Sequence, residues 1–126
     1  TPLAVIQQVI ALDSRCRVAL DTEFLAIHGQ VEAALEADWL WEHNLVRHIH
    51  LKDFDGNQYD ANNYRRYLHP GEGHLDFTSF FARLYQRQFT GNLSLEASVV
   101  SQDCVRDMEK LHKTLTNLRT ALTLFQ

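Results

Sequence analysis

Apolar and polar residues recur along the chain with two different periods, which predict helices and strands in turn. The first predicted helix takes Thr1 as its N-cap and Pro2 as its first helical residue, and its apolar positions run from Leu3 to Ile10. A loop rich in Asp, Asn, Gly and Tyr is predicted over residues 53–73. The remaining pattern predicts strands over residues 17–21, 46–51 and 93–97, and helices over residues 31–41, 77–88 and from near Ser101 almost to the end.

The order of these elements is α, β, α, β, loop, α, β, α. Strands that alternate with helices are typical of parallel strands joined by crossover helices, so the predicted fold class is α/β. We find no linker and no low-complexity tract in the sequence. Residues 1–126 are therefore predicted to form one domain.

The last predicted helix carries an apolar residue at alternating spacings of three and four. This seam is compatible with a coiled-coil pair and also with a helix docked on a sheet. The stretch covers fewer than three heptads, which favours docking. The seam residues are Met108, Leu111, Leu115, Leu118, Leu122 and Phe125.

Composition and charge exclude several classes of protein. The 126 residues are 45% hydrophobic and 22% charged, which is typical of a globular domain and not of a disordered or collagen-like chain. The net charge of −4 offers no basic footprint, so a nucleic-acid partner is not expected. No apolar run approaches the roughly 18 residues of a membrane span. Because there is no leader-like start and no disulfide or metal spacing between Cys16 and Cys104, a cytoplasmic location is expected.

Each predicted strand has one apolar face and one polar face. Side chains alternate along a strand, so Asp21, His50 and Glu96 all lie on the polar faces, near the carboxyl ends of the three strands. Parallel α/β folds build their sites at that end. We therefore expect these three side chains to converge.

Two carboxylates and one imidazole are a plausible ligand set for a divalent cation such as Mg²⁺, Mn²⁺, Co²⁺ or Zn²⁺. Taken singly, an aspartate such as Asp21 is more often a helix or turn cap, and a strand histidine is more often structural. The coincidence on three successive strands favours a metal site formed by Asp21, His50 and Glu96.

Other polar residues are candidates for contacting a substrate. His48 and Lys52 share the face of His50, although a lysine at a strand end more often extends into solvent. His74 lies beside a glycine-rich turn, where it either approaches a ligand or belongs only to the loop. The predicted loop also contains three tyrosines that either line a sugar or cover the rim of the fold: Tyr59, Tyr64 and Tyr67.

Four segments carry a resemblance to a known family. They read VALDT at residues 18–22, VRHIHLKD at residues 46–53, PGEGHLDF at residues 70–77 and GNLSLE at residues 91–96. In this order they resemble the xylose isomerase-like TIM-barrel superfamily, which includes sugar isomerases, sugar and keto-acid epimerases and endonuclease-IV-type nucleases. The chain is similar to the C-terminal part of such a barrel, containing strands six to eight of eight.

The resemblance implies roles for individual residues. Asp21 and His50 correspond to metal ligands, and Glu96 corresponds to a ligand that also moves a proton beside a carbonyl. The implied activity is isomerisation or epimerisation of a sugar, sugar phosphate or keto acid through an enediolate, with a divalent metal as cofactor. Either Arg65 or Arg66 corresponds to a substrate-contacting arginine, and the sequence does not choose between them.

The sequence also departs from the family pattern. Phe24 stands where the family has a histidine that contributes to the site. Glu23 is a candidate replacement ligand, although an exposed loop carboxylate is the favoured interpretation. The nuclease branch has an aspartate and a histidine at positions where this chain has Tyr64, Arg65 and Arg66. These residues weigh against an abasic-site nuclease, which stays the third hypothesis.

The predicted strands account for three of the eight in a full barrel. The family's fourth ligand, which is also its second catalytic carboxylate, lies on an earlier strand, so the resemblance implies an activity that this chain does not complete alone. It also leaves open whether this chain binds metal. The expected partners are a sugar-like substrate and either a missing N-terminal half-barrel or further copies in a homo-oligomer. The alternative hypothesis is a non-catalytic half-barrel whose role is association.

Overall fold

The computed structural model describes residues 2–96 and 104–125, apart from the side chain of Cys104. A short 3₁₀ turn at Glu42–Asn44 precedes the second strand. The elements in chain order are α1 (Leu3–Leu12), β1 (Val18–Asp21), α2 (Thr22–Ile27), α3 (Val31–Glu36), α4 (Asp38–Trp41), β2 (Val46–Leu51), α5 (Phe77–Gln86), β3 (Asn92–Leu95) and α6 (Cys104–Thr123).

The three strands form one open parallel sheet in the order β1, β2, β3. Asp21 pairs with His50, and His50 pairs with Ser94 on the other side. This register brings the carboxyl ends of the strands to the same level, which is the geometry of part of a TIM barrel. The predicted α/β class and the three parallel strands are confirmed.

The sheet buries one face against the helices. Leu20, Ile49 and Leu51 are almost fully buried there, and they belong to the same core as Phe80 and Phe81 of α5. Each such side chain contributes about 1.5–3 kcal/mol through the apolar area that it removes from water. On the opposite face the side chains of Ala19, His48, His50 and Ser94 are exposed or only partly buried. The polar face is therefore the open one.

Two helical features differ from the sequence-based prediction. Helix α2 follows β1 without a loop and was not predicted, because six residues are too few for a clear helical period. The helix predicted over residues 31–41 breaks at Ala37, whose ψ of 93° is extended. The break separates α3 from α4, and α4 places Leu40 in the core with no exposed surface.

Several predicted boundaries move by a few residues. Pro2 is the N-cap of α1 and not its first helical residue, α5 ends at Gln86, and β3 begins at Asn92. Helix α6 begins at Cys104 in the described part of the chain. The predicted boundary residues Thr1, Ala97 and Ser101 lie outside the described residues.

Helix α6 docks through its C-terminal half. Leu118 and Thr114 are buried, and Leu122 and Phe125 pack against the core. Met108, nearer the start of the helix, is exposed. Docking, the favoured interpretation of the apolar seam, is confirmed for this half. No helix in the described ranges is long and apolar enough to cross a membrane.

The long loop between β2 and α5 is organised by one buried carboxylate. Asp53 is 1% exposed and accepts hydrogen bonds from four backbone N–H groups. A Cβ atom on Gly73 would collide with the carboxylate of Asp53, so the loop needs glycine at that position. The four donors are Phe54, Gly71, Gly73 and Leu75.

Candidate metal centre

Asp21 ends β1 and serves two purposes with its two carboxylate oxygens. Oδ1 accepts a hydrogen bond of 3.1 Å from the N–H of Phe24, so Asp21 is the N-cap of α2. Oδ2 lies 3.7 Å from Nζ of Lys52. The cap fixes the position of the carboxylate, and the side chain remains part of the cluster at the strand ends. The capping and metal-site interpretations of this aspartate are therefore compatible.

His50 and Glu96 meet beside Asp21. Nδ1 of His50 lies 3.1 Å from Oε2 of Glu96, and the N–H of Glu96 donates to the carbonyl of Leu51 at 3.4 Å. One ligand atom from each of Asp21, His50 and Glu96 lies within 4.8 Å of the other two. The structure brings together the three side chains that the strand pattern singled out.

The donor set fits a divalent cation. Carboxylate oxygens suit hard cations, and an imidazole nitrogen extends the range to Mn²⁺, Co²⁺ and Zn²⁺. The side chains of His50 and Glu96 are 43% and 39% exposed, so the site opens toward the uncovered face of the sheet. Asp21, His50 and Glu96 can therefore hold a metal ion that keeps open positions for a substrate.

Lys52 lies inside this cluster, and the expectation that it extends into solvent is wrong. Its side chain is 7% exposed, and Nζ lies 3.0 Å from Oε2 of Glu96 and 3.8 Å from Oε2 of Glu23. Burial lowers the pKa of Lys52, but the hydrogen bond to Glu96 and the charges of Asp21, Glu96 and Glu23 outweigh it and raise the pKa above its usual value. The lysine is thus a buried ammonium held by carboxylates.

Glu23 is also buried, which corrects the favoured interpretation of it as an exposed loop carboxylate. It lies in the first turn of α2, is 3% exposed and places Oε1 2.8 Å from Nη2 of Arg65. Oε2 is buried and has no hydrogen-bond partner among the described residues. Glu23 is not part of the group of ligand atoms that lie within 4.8 Å of one another, and its carboxylate is paired with Lys52 and Arg65.

The structure distinguishes the two arginines of the loop. Arg65 reaches the site through Glu23, and its guanidinium carbon lies 5.7 Å from the centre of the Tyr67 ring. Arg66 forms an ion pair of 2.7 Å with Asp55 inside the loop. Arg65 is therefore the arginine associated with the strand ends, and Arg66 stabilises the loop.

The other candidate contact residues lie in different parts of the structure. The His48 ring lies 4.8 Å from that of His50, and its buried Nε2 has no hydrogen-bond partner in the part of the chain that the structure describes. His74 is exposed and lines a cleft beside α5, apart from the three ligands. Phe24 is 45% exposed, with Nζ of Lys52 6.0 Å from its ring centre. His48 thus lies beside a proposed ligand, whereas His74 shares its cleft with Thr22 and with none of the three ligands.

Thr22 is a site residue that the sequence analysis did not single out. Its hydroxyl donates to the carbonyl of Lys52 at 2.5 Å and accepts from the N–H of Lys52 at 2.9 Å. These bonds join the end of β1 to the end of β2 beside the candidate ligand Asp21. Its position directly after Asp21 was the available signal.

A family model described as a xylose isomerase-like TIM barrel matches residues 3–120. The chain belongs to this family. Searches among curated proteins and among solved structures found no significant match.

Membership of the xylose isomerase-like TIM-barrel family confirms the resemblance seen in the sequence. The family covers sugar isomerases, epimerases and abasic-site endonucleases. Its members commonly bind divalent metals, and Asp21, His50 and Glu96 form a candidate site for one here. The three-stranded open sheet is a partial barrel of this family.

Proposed function

We propose that this chain provides the metal-binding side of a sugar isomerase or epimerase of the xylose isomerase-like family. Asp21, His50 and Glu96 are the proposed ligands. The observation that carries the proposal is their convergence within 4.8 Å at the ends of three adjacent parallel strands. The proposed substrate class is a sugar or a related hydroxy-carbonyl compound.

The chemistry follows from the proposed ligands. A divalent ion, when bound, stabilises negative charge that develops on a carbonyl oxygen. Glu96 is the proposed acid or base that moves the proton on the neighbouring carbon. Its carboxylate is partly exposed on the open face of the sheet, where a substrate can reach it. His48, next to His50, and the cations Lys52 and Arg65 orient polar groups of the substrate.

A proton transfer of this type needs a second acid or base on the opposite side of the carbon. We propose that it comes from strands other than β1, β2 and β3, either in another segment or in a second copy. Within the described ranges β1 and β3 each pair with β2 alone, so both edges of the sheet offer unpaired backbone groups. The open polar face is the surface that such strands would cover.

The metal centre is tested by titrating the chain with Co²⁺ and recording d–d absorbance and calorimetric heat. We expect one ion per chain. We expect Asp21→Ala and His50→Ala each to weaken Co²⁺ binding by roughly tenfold or more, because each substitution removes one ligand. Matched controls are Glu42→Ala and His28→Ala, which remove exposed groups that are not part of the ligand cluster. Equal binding by all four variants would exclude the proposed centre.

Association is a second candidate function, favoured by exposed apolar side chains on two helices. Val9 and Leu12 of α1 and Met108 of α6 are exposed, and the sheet edges are unpaired within the described ranges. A half-barrel of this kind is expected to pair with itself or with a complementary half. Sedimentation over a hundredfold range of concentration tests self-association, and a strict monomer would contradict the homo-oligomer.

A further inference from the structure

Lys52 provides a positive charge at the place where the metal ion is needed. It lies two residues after His50 along the same strand direction, so its side chain rises on the same polar face. Its hydrocarbon stem is buried, and only the ammonium reaches the cluster of carboxylates. The rings of Tyr67 and Phe24 lie 5.5 and 6.0 Å from Nζ. The lysine is thus a fixed component of the site.

Two of the three proposed ligands are already bound to this ammonium. Nζ of Lys52 lies 3.0 Å from Oε2 of Glu96 and 3.7 Å from Oδ2 of Asp21. The same Oε2 atom lies 3.1 Å from Nδ1 of His50. A metal ion bound to this oxygen and this nitrogen would replace the hydrogen bond between them, and it would compete with the ammonium of Lys52 for the same carboxylate oxygen.

The net charge of the site also favours competition between Lys52 and a metal ion. Three carboxylates, those of Asp21, Glu23 and Glu96, face two cations, those of Lys52 and Arg65, which leaves a net charge of −1 with neutral His50. A divalent ion would make this cluster positive while Lys52 remains. Without the lysine charge, the same ion would bring the cluster to neutrality. The repulsion between an ammonium and a divalent ion at a few ångströms is weakly screened in a partly buried site.

We propose that Lys52 is a resident counter-cation that competes with the metal ion for Glu96 and Asp21 and so sets the metal affinity of the site. In the absence of metal it holds the carboxylates together. On metal binding its ammonium leaves Oε2 of Glu96 and stays paired with Glu23, whose Oε2 atom has no hydrogen-bond partner among the described residues. This inference rests on the proposed function, because it assumes that Asp21, His50 and Glu96 hold a metal.

The experiment compares Mn²⁺ dissociation constants of the full chain by calorimetry at one pH and one ionic strength. Lys52→Met removes the charge and keeps most of the stem, and we expect it to bind Mn²⁺ at least tenfold more tightly than the wild type. Lys52→Arg keeps the charge, and we expect no gain in affinity. The remote control is Lys110→Met, which removes a lysine paired with Glu72 and is expected to leave the affinity unchanged.

The outcomes separate this inference from the metal centre itself. Equal or weaker binding by Lys52→Met, with the wild type binding, would overturn the competition and leave the centre intact. Equal gains in the Met and Arg variants would also overturn it, because the charge would then be irrelevant. No Mn²⁺ binding by any variant would overturn both proposals. If Lys52→Met does not fold without metal, Lys52→Gln, which keeps a polar donor, replaces it with the same tenfold expectation.

Discussion

Nη2 of Arg65 lies 2.8 Å from Oε1 of Glu23, and this contact joins the long loop after β2 to the helix that follows β1. The Glu23 side chain is 4% exposed, whereas that of Arg65 is 25% exposed. A carboxylate buried to this extent needs a partner, because an isolated charge is costly to remove from water. The ion pair therefore holds the loop, with Tyr67, over the strand ends.

Arg65→Met is expected to destabilise the protein by about 2–3 kcal/mol. The physical reason is that Glu23 keeps its burial and loses its strongest partner, while the partial exposure of Arg65 limits the effect. Urea unfolding followed by circular dichroism measures the change. The matched control is Arg66→Met, whose ion pair with Asp55 stays within the loop and is expected to cost about 1 kcal/mol or less.

The double variant Glu23→Gln with Arg65→Met provides a further check. It removes both charges together, so it is expected to recover part of the stability that the single Arg65 variant loses. If the double variant had a free energy of unfolding no higher than that of the single Arg65→Met variant, the buried charge of Glu23 would not be the cause of the loss.

Thr22→Val is expected to cost about 1–3 kcal/mol, because it leaves the N–H of Lys52 buried without its acceptor. Valine has nearly the same shape, so packing changes little. Thr22→Ser keeps the hydroxyl and is the matched control. Free energies of unfolding of the two variants give the test, and an equally large loss in Thr22→Ser would assign the effect to the missing methyl group.

Asp53→Asn is expected to destabilise the protein by about 2 kcal/mol or more. The amide offers one oxygen and an NH₂ group to four backbone donors that now share two carboxylate oxygens, so at least one donor loses its acceptor. Chemical denaturation measures the loss. Asp60→Asn is the comparison, since Asp60 is exposed and its carboxylate accepts from two backbone N–H groups among the described residues. Similar losses in both variants would contradict a special role of burial.

His69 predicts a pH dependence of stability. Burial, and then the charge of Lys110, lower the pKa of this imidazole below its usual value of 6.5, and Nδ1 lies 3.0 Å from Oγ1 of Thr114. Because the unfolded chain binds the proton more readily, this contribution to stability is full above about pH 6.5 and is lost as the pH falls through the lowered pKa.

The measurement is the free energy of unfolding from about pH 7.5 down to about pH 5, above the range in which the pKa of Glu72 matters. His69→Phe is expected to flatten the slope in this window, and His28→Phe, at an exposed position, is expected to leave it unchanged. An identical slope in the wild type and in His69→Phe would exclude His69 as the origin.

The strands and the three proposed ligands follow from local patterns in the amino-acid sequence. Alternation along a strand separates Leu20 from Asp21 and Ile49 from His50, and parallel pairing brings the strand ends together wherever they lie in the chain. These are local and repetitive properties, so the convergence of Asp21, His50 and Glu96 was predictable from one sequence.

Which charged side chains are buried depends instead on contacts between distant parts of the fold. Glu23 and Lys52 both belong to residue types that usually face solvent, and they are buried because the loop carries Arg65 and Tyr67 back over the strand ends. The choice between Arg65 and Arg66 has the same origin, since neighbouring residues in a loop have no fixed periodicity. The burial of a charge depends on partners that are distant in sequence, and no local pattern records them.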